Sequence, residues 1–225
     1  MNWIQKLSYN IFKSVIKIYL YNFLEFKIWG KSNIPPGPKI FCSNHFSSTD
    51  PFYVMTIMDE PIHMIIGPAF SVPFFKIILK FGKQINAMPE LKDEVIPTAI
   101  KYLKNNESIY IFPEGDLGDQ KSLGYFYSGI ARIYLQNPVP IIPIGILSPI
   151  RYVKEAERTM KIDNKISKIS TVLTGKYYVN IGKPLRFPSL ENTSYTHDDT
   201  ELITSTIKQE IEMLINDIKT NKFWS

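Results

Sequence analysis

The chain has 225 residues, 44% hydrophobic and 21% charged, with 26 Lys+Arg against 21 Asp+Glu and a formal net charge of +5. That length suits one compact domain with a short appendage and a core that needs no disulfide or metal, and the composition excludes disorder, a collagen-like repeat and a disulfide scaffold. The single cysteine, Cys42, has no internal partner and no signal peptide stands before it, so a reducing compartment is expected.

Along the first residues, Ile4, Leu7, Ile11, Val15 and Ile18 recur at three- and four-residue steps, with Trp3, Phe12, Tyr19 and Phe23 widening the apolar face and Lys6, Lys13 and Lys17 among them. The pattern fits an interfacial helix with lysines at anionic headgroups, and equally a helix packed on its own domain. The expected division is an N-terminal amphipathic, membrane-associating helix over residues 1–27 and one domain over 28–225. After the turn-rich Gly30–Pro38 comes a short buried strand at Lys39–Ser43, and Asp50 and Pro51 read as N-cap and first turn of a helix to about Met58.

Further on, Phe74–Phe81 reads as a helix ended by Gly82, and Asp93–Lys104 as another in which Pro97 is tolerable only in the first turn. Ser108–Phe112 is a strand stopped by Pro113, Ser128–Leu135 a helix, Pro140–Leu147 a buried strand and Tyr177–Ile181 a strand closed by Gly182. A last helical stripe, Leu202 to Ile218, follows capping candidates at Asp198–Thr200. Strands alternate with helices, so an α/β fold is expected, a mixed sheet covered by helices. The uncharged run Ile133–Ile150 contains Pro138, Pro140, Pro143 and Pro149, and no membrane-spanning segment is expected.

Two blocks carry chemistry. Ser43–Asp50 follows directly on a buried strand, which places His45 in a strand-to-helix loop. On a continuous helix His45 and Asp50 would point about 140° apart. With Asp50 at the cap and His45 upstream in the turn, the carboxylate reaches the imidazole and fixes its tautomer. The plain alternative is a capping Asp and a polar loop His. The second block, Ile109–Gly115, is a strand breaking at Pro113 into a turn where Glu114 offers a carboxylate to a substrate hydroxyl and Gly115 admits close approach of a ligand. No nucleophile elbow, phosphate-binding loop or His-Glu-x-x-His is present, and three histidines and one cysteine are scattered without metal-ligand spacing.

Asn44-His45-Phe46-Ser47-Ser48-Thr49-Asp50, Phe112-Pro113-Glu114-Gly115 and Pro140-Ile141-Ile142-Pro143, in that order, make the chain resemble the glycerolipid acyltransferases of the lysophosphatidic acid acyltransferase type. Gly30 with Asn33-Ile34-Pro35, Phe126 with Gly129 and Ala131, and Val179–Pro184 add to the resemblance, which spans roughly residues 28–218. It implies transfer of a fatty acyl group from acyl-CoA or acyl-carrier protein to a lipid hydroxyl, with no other cofactor. His45 would be the general base, Asp50 its support, and Phe112, Pro113, Glu114 and Gly115 the acceptor-binding turn. A peripheral position on the cytoplasmic face of a membrane follows, with membrane lipids and the acyl donor as partners.

The sequence departs from the family where an arginine commonly holds the acceptor's phosphate. Leu117 stands at one such position, between Asp116 and Gly118, and Gly82–Met88 holds no arginine at the other. Arg is suited to bidentate phosphate recognition and Leu is not. Either Lys83, Lys121 or Arg132 serves from elsewhere, or the acceptor lacks a phosphate. A non-catalytic lipid-binding relative is the second reading. A nucleic-acid partner, motivated only by the basic stretch 151–186, is not expected, since that stretch lacks aromatic interleaving and a docking motif.

Overall fold

The computed structural model describes residues 2–118, 121–149, 154–155, 158–162, 165–190 and 194–220, and the side chains of 150–169 lie outside the description. The basic zone read at 151–186 is therefore described in its side chains only from Ser170 onward. Asn2 and Gln5 form a reciprocal capping box that opens α1, Trp3–Phe23. The helix docks through Tyr9 and Leu20, with Ile16 and Tyr19 packed beside them. Ile4, Leu7, Ile11, Val15 and Ile18 instead stay 48–64% exposed. The apolar stripe thus points away from the domain, and Lys13 donates to the carbonyl of Met58 on the docked side.

Strand β1, Leu24–Trp29, leaves α1 without a loop. The other strands of the main sheet are β2 (Ile40–Ser43), β3 (Ile62–Ile66), β4 (Ile85–Asn86), β5 (Ser108–Ile111), β6 (Ile141–Leu147), β7 (Lys154–Glu155) and the late strand β10 (Val172–Ile181). The order is β1-β10-β6-β2-β5-β3-β4, with β7 pairing β10. Strands β6, β2, β5, β3 and β4 run parallel, whereas β10 is antiparallel to β6 and parallel to β1. A separate hairpin joins β8 (Arg158–Ile162) to β9 (Lys165–Ile169).

Among the described residues five further helices accompany the sheet: α2 (Asp50–Met55), α3 (Pro73–Phe81), α4 (Lys92–Lys104), α5 (Gly129–Gln136) and α6 (His197–Lys219). Alternation along β2 divides the core, because successive side chains of a strand face opposite ways. Phe41 joins Leu20, Tyr53, Tyr110 and Tyr177 under α1 and α2, while Ile40 and Cys42 join Ile130, Tyr134, Ile203, Ile207 and Ile211 under α4, α5 and α6. The fold is therefore the mixed α/β architecture expected from the sequence.

Several local expectations are corrected. Pro97 sits in the second turn of α4 and not the first, because the helix opens at Lys92 behind a short turn at Pro89–Leu91. Its missing N–H leaves the Asp93 carbonyl without the usual helical donor. The N-cap of α6 is Thr196, boxed with Asp199, and not Asp198–Thr200. By contrast, the buried strand expected at Pro140–Leu147 is found, as β6 runs through Pro143 with all seven residues buried. The N-terminal helix ends at Phe23 and not at 27, because residues 24–27 pair with β10 as part of β1. Strands β1, β3, β4, β7, β8 and β9 have no counterpart in the sequence reading.

Helix α6 packs tightly on the sheet at Gly145 of β6, where an added Cβ would sit 2.8 Å from Leu214 Cβ and 2.9 Å from the Ile215 nitrogen of α6. Gly145→Ala must push α6 off the sheet, and we expect a loss of about 1–3 kcal/mol of stability. A lower urea midpoint at unchanged slope measures it.

Candidate functional site

Strand β2 ends at Ser43, and the chain then turns through Asn44–Thr49 into α2. The Asn44 amide continues the sheet in place of backbone, giving its N–H to Ile146 O and taking the Ile146 N–H, both at 2.8 Å. This holds the first residue of the turn against β6 and delivers His45 beyond the end of the sheet.

Asp50 is fully buried and is the first residue of α2, Thr49 being the N-cap. Its carboxylate faces back into the turn instead of capping the helix ahead. Oδ2 accepts from His45 Nδ1 and from the backbone N–H groups of Phe46 and Ser47, each at 2.9 Å. Oδ1 accepts from the Tyr177 hydroxyl at 2.8 Å. Burial first, and then the Asp50 charge, push the Tyr177 hydroxyl well above the ordinary tyrosine range, so it stays a donor. With Nδ1–H given to Asp50, the nitrogen of His45 left to take a proton is Nε2.

The Phe-Pro-Glu-Gly turn braces the same histidine. The Phe112 ring stacks against the His45 ring at 4.1 Å between centroids. Glu114 accepts the His45 N–H on Oε1 at 2.9 Å and the Gly124 N–H on Oε2 at 2.8 Å, and the Gly118 N–H closes on His45 O. A Cβ at Gly118 or Gly124 would meet Oε2 at 3.0 or 3.1 Å, so these glycines admit the carboxylate. Pro113 O takes the Tyr127 N–H, and Gly115 has φ +71° with the Tyr127 ring against it. The close neighbour at Gly115 is thus a side chain of the same loop. Glu114 holds the backbone of His45, a tie that the hydroxyl reading of its carboxylate did not include.

Ser47 is fully buried, and its Oγ accepts the Val172 N–H and pairs with Thr49 Oγ1, which ties the turn to the start of β10. A cavity of about 210 Å³ opens beside the histidine, lined by Asn44–Phe46, Glu114, Gly118, Lys121–Leu123, the end of β6, and Glu212, Ile215, Asn216 and Lys219 of α6. It lies at the carboxyl ends of the parallel strands β2, β5 and β6, where open α/β sheets accommodate ligands. Sequence reading named His45, Asp50 and Phe112–Gly115, and the structure brings them together. It missed Tyr177, which is 127 residues from Asp50, and the α6 wall. A tyrosine in a β-rich run carries no local sign of such a role. Of the three basic residues considered as stand-ins for the missing arginines, Lys121 lines the cavity, whereas Lys83 and Arg132 do not.

The Acyltransferase family model matches residues 25–147, more than half of the chain, from the second residue of β1 to the end of β6. The chain belongs to this acyltransferase family. Among curated relatives, a chloroplastic 1-acyl-sn-glycerol-3-phosphate acyltransferase of Brassica napus is 23% identical over 148 residues, covering 64% of this chain and 43% of that protein. The 1-acyl-sn-glycerol-3-phosphate acyltransferase of Pseudomonas aeruginosa is 25% identical over 126 residues, covering 54% and 49%. The chain thus spans less than half the length of the curated relatives it matches. The crystal structure of the 1-acyl-sn-glycerophosphate acyltransferase PlsC from Thermotoga maritima has the same fold, with a TM-score of 0.67 at 18% identity over 93% of this chain and 80% of that one. The resemblance read from the three motifs is borne out by the family model, and the curated relatives it matches are 1-acyl-sn-glycerol-3-phosphate acyltransferases.

The Glu114 clamp is open to test. Glu114→Gln sets an amide N–H against a backbone N–H on one of its two sides. We expect it to cost about 1–3 kcal/mol, read as a lower urea midpoint than wild type.

Proposed function

We propose that the chain is an O-acyltransferase that moves a fatty acyl group from an acyl thioester, acyl-CoA or acyl-carrier protein, to a hydroxyl of a glycerolipid acceptor. His45 Nε2 takes the hydroxyl proton, and the freed oxygen attacks the thioester carbonyl carbon. The new C–O bond forms, the C–S bond breaks, and the proton passes to the departing thiolate. Asp50 and Tyr177 act through His45 by fixing its tautomer and stabilising the imidazolium. The observation that carries this reading is the His45 Nδ1–Asp50 Oδ2 contact of 2.9 Å beside a cavity walled by polar groups. The reaction class agrees with the family and with the names of its curated relatives. No cofactor beyond the thioester is expected, since the thioester is already activated.

Attachment to a lipid surface forms part of the proposal. Among the described residues no helix is long and apolar enough to cross a membrane. The outward stripe of α1 supports a peripheral position instead, with the helix lying in the interface. We assign it to the cytoplasmic leaflet, whose anionic lipids suit the chain's net charge of +5.

The decisive experiment follows a labelled acyl thioester in purified protein with a lysophospholipid acceptor. His45→Ala is expected to lower transfer by about 10²–10⁴-fold. Transfer at the wild-type rate would refute the mechanism.

A phosphate-free acceptor is the second reading, favoured by Leu117 in the turn and by Glu212 on the cavity wall. Lys121 and Lys219 on that wall favour a phosphate. Comparison of lysophosphatidic acid with monoacylglycerol at equal concentration decides between them. Faster acylation of monoacylglycerol would establish the phosphate-free class, and faster acylation of lysophosphatidic acid would exclude it.

A further inference from the structure

Helix α3 is built from Pro73-Phe-Phe-Lys-Ile-Ile-Leu-Lys-Phe81, and none of its nine residues is buried. Leu79 is half-buried and turns toward the domain, while Phe74, Phe75, Ile77, Ile78 and Phe81 are 41–71% exposed. At about 100° per residue these five fall within an arc of about 160°, and Lys76 and Lys80 lie together on the opposite side of the helix. Among the described residues neither lysine meets a carboxylate within ion-pair distance. A nine-residue helix gains little stability from its own backbone in water. A contiguous exposed apolar face of this kind marks an interface.

Its position identifies what covers it. The crossovers from β2 to β3 and from β3 to β4 step the same way across the sheet, and right-handed crossovers place α2 and α3 on one face. That is the face α1 covers, and Gln5 Nε2 of α1 donates to Phe81 O at the end of α3 at 3.0 Å. The start of α1 and the end of α3 therefore adjoin. An aromatic and aliphatic face with lysines on the opposite, polar side is the chemistry of a helix seated in an anionic lipid interface.

We propose that α3 is a second lipid-inserting element, which with α1 forms a two-helix platform on a bilayer of anionic phospholipid. The apolar arc enters the acyl boundary, and Lys76 and Lys80 remain at the headgroups. The inference extends the lipid-surface reading of α1, and it does not depend on acyl-transfer chemistry.

The test uses the full chain with Ile77→Cys carrying an environment-sensitive nitrobenzoxadiazole label and Ile11→Cys as the reporter on α1. The native Cys42 is fully buried and does not compete for the label in the folded protein. With vesicles of pure phosphatidylglycerol, position 77 is expected to brighten and shift to the blue. The triple variant Phe74→Ser, Ile77→Ser, Phe81→Ser should bind these vesicles at least about tenfold more weakly at unchanged Tm. A response at position 11 with none at position 77 would overturn the proposal. So would a response at 77 that rises with protein concentration in the absence of lipid, which would assign the face to a second copy of the chain. A response at 77 with none at 11 would overturn the two-helix platform and leave α3 as the lipid-inserting element by itself. The His45→Ala protein should give the same binding, which keeps this test separate from the fate of the catalytic proposal.

Discussion

A carboxylate excluded from water at Asp50 is the constraint around which the site is arranged. An uncompensated buried charge is strongly destabilising, and removing one partner of such a pair typically costs about 3–5 kcal/mol. Here the compensation comes from four donors: the His45 ring, two consecutive backbone N–H groups, and the Tyr177 hydroxyl. Two of these are main chain, so the shape of the turn and the hydrogen bonding of the Asp50 carboxylate are inseparable. Any rearrangement that swung His45 away would leave the carboxylate short of donors in a place water does not reach.

Other segments hold the same turn from different directions. Ser47 and Thr49 engage the beginning of β10, Asn44 engages β6, and Glu114 and Gly118 fasten the backbone of His45 on both sides. A histidine held by its ring, its N–H and its carbonyl has little freedom left. Such preorganisation is what a general base requires, because a misplaced proton acceptor forfeits much of its effect. The fold contributes by ending three parallel strands at one edge, so that loops from distant parts of the chain converge there.

The two faces of the sheet are unlike in their outer surfaces. Helices α4, α5 and α6 bury apolar side chains against one face, and α6 also walls the cavity. On the other face α1 buries only part of its apolar surface and α3 buries no residue. Hydrophobic side chains left in water at this density need a further partner, and the proposed lipid seat for both helices would supply one.

Much of the site is legible in the sequence because its parts are local. A buried strand followed by Asn-His, with Asp five residues later, and a strand broken at Pro113 before Glu114 are patterns of turn chemistry and hydrophobic run length, which neighbouring residues decide. The alternation of strands and helices is likewise a local property, and it was sufficient for the fold class. Strands β1, β3 and β4 were not legible. Residues 24–29 run on directly from a helix, β4 has two residues, and β3 exists by pairing with β5 and β4. The stripe of α1 was legible as apolar, but its direction was not, because periodicity records a face and not what it meets. Only the tertiary structure turned that stripe outward, brought Tyr177 to Asp50 across 127 residues, and gave Glu114 the backbone of His45 to hold. Those outcomes depend on strand order and packing, and no short stretch of sequence contains them.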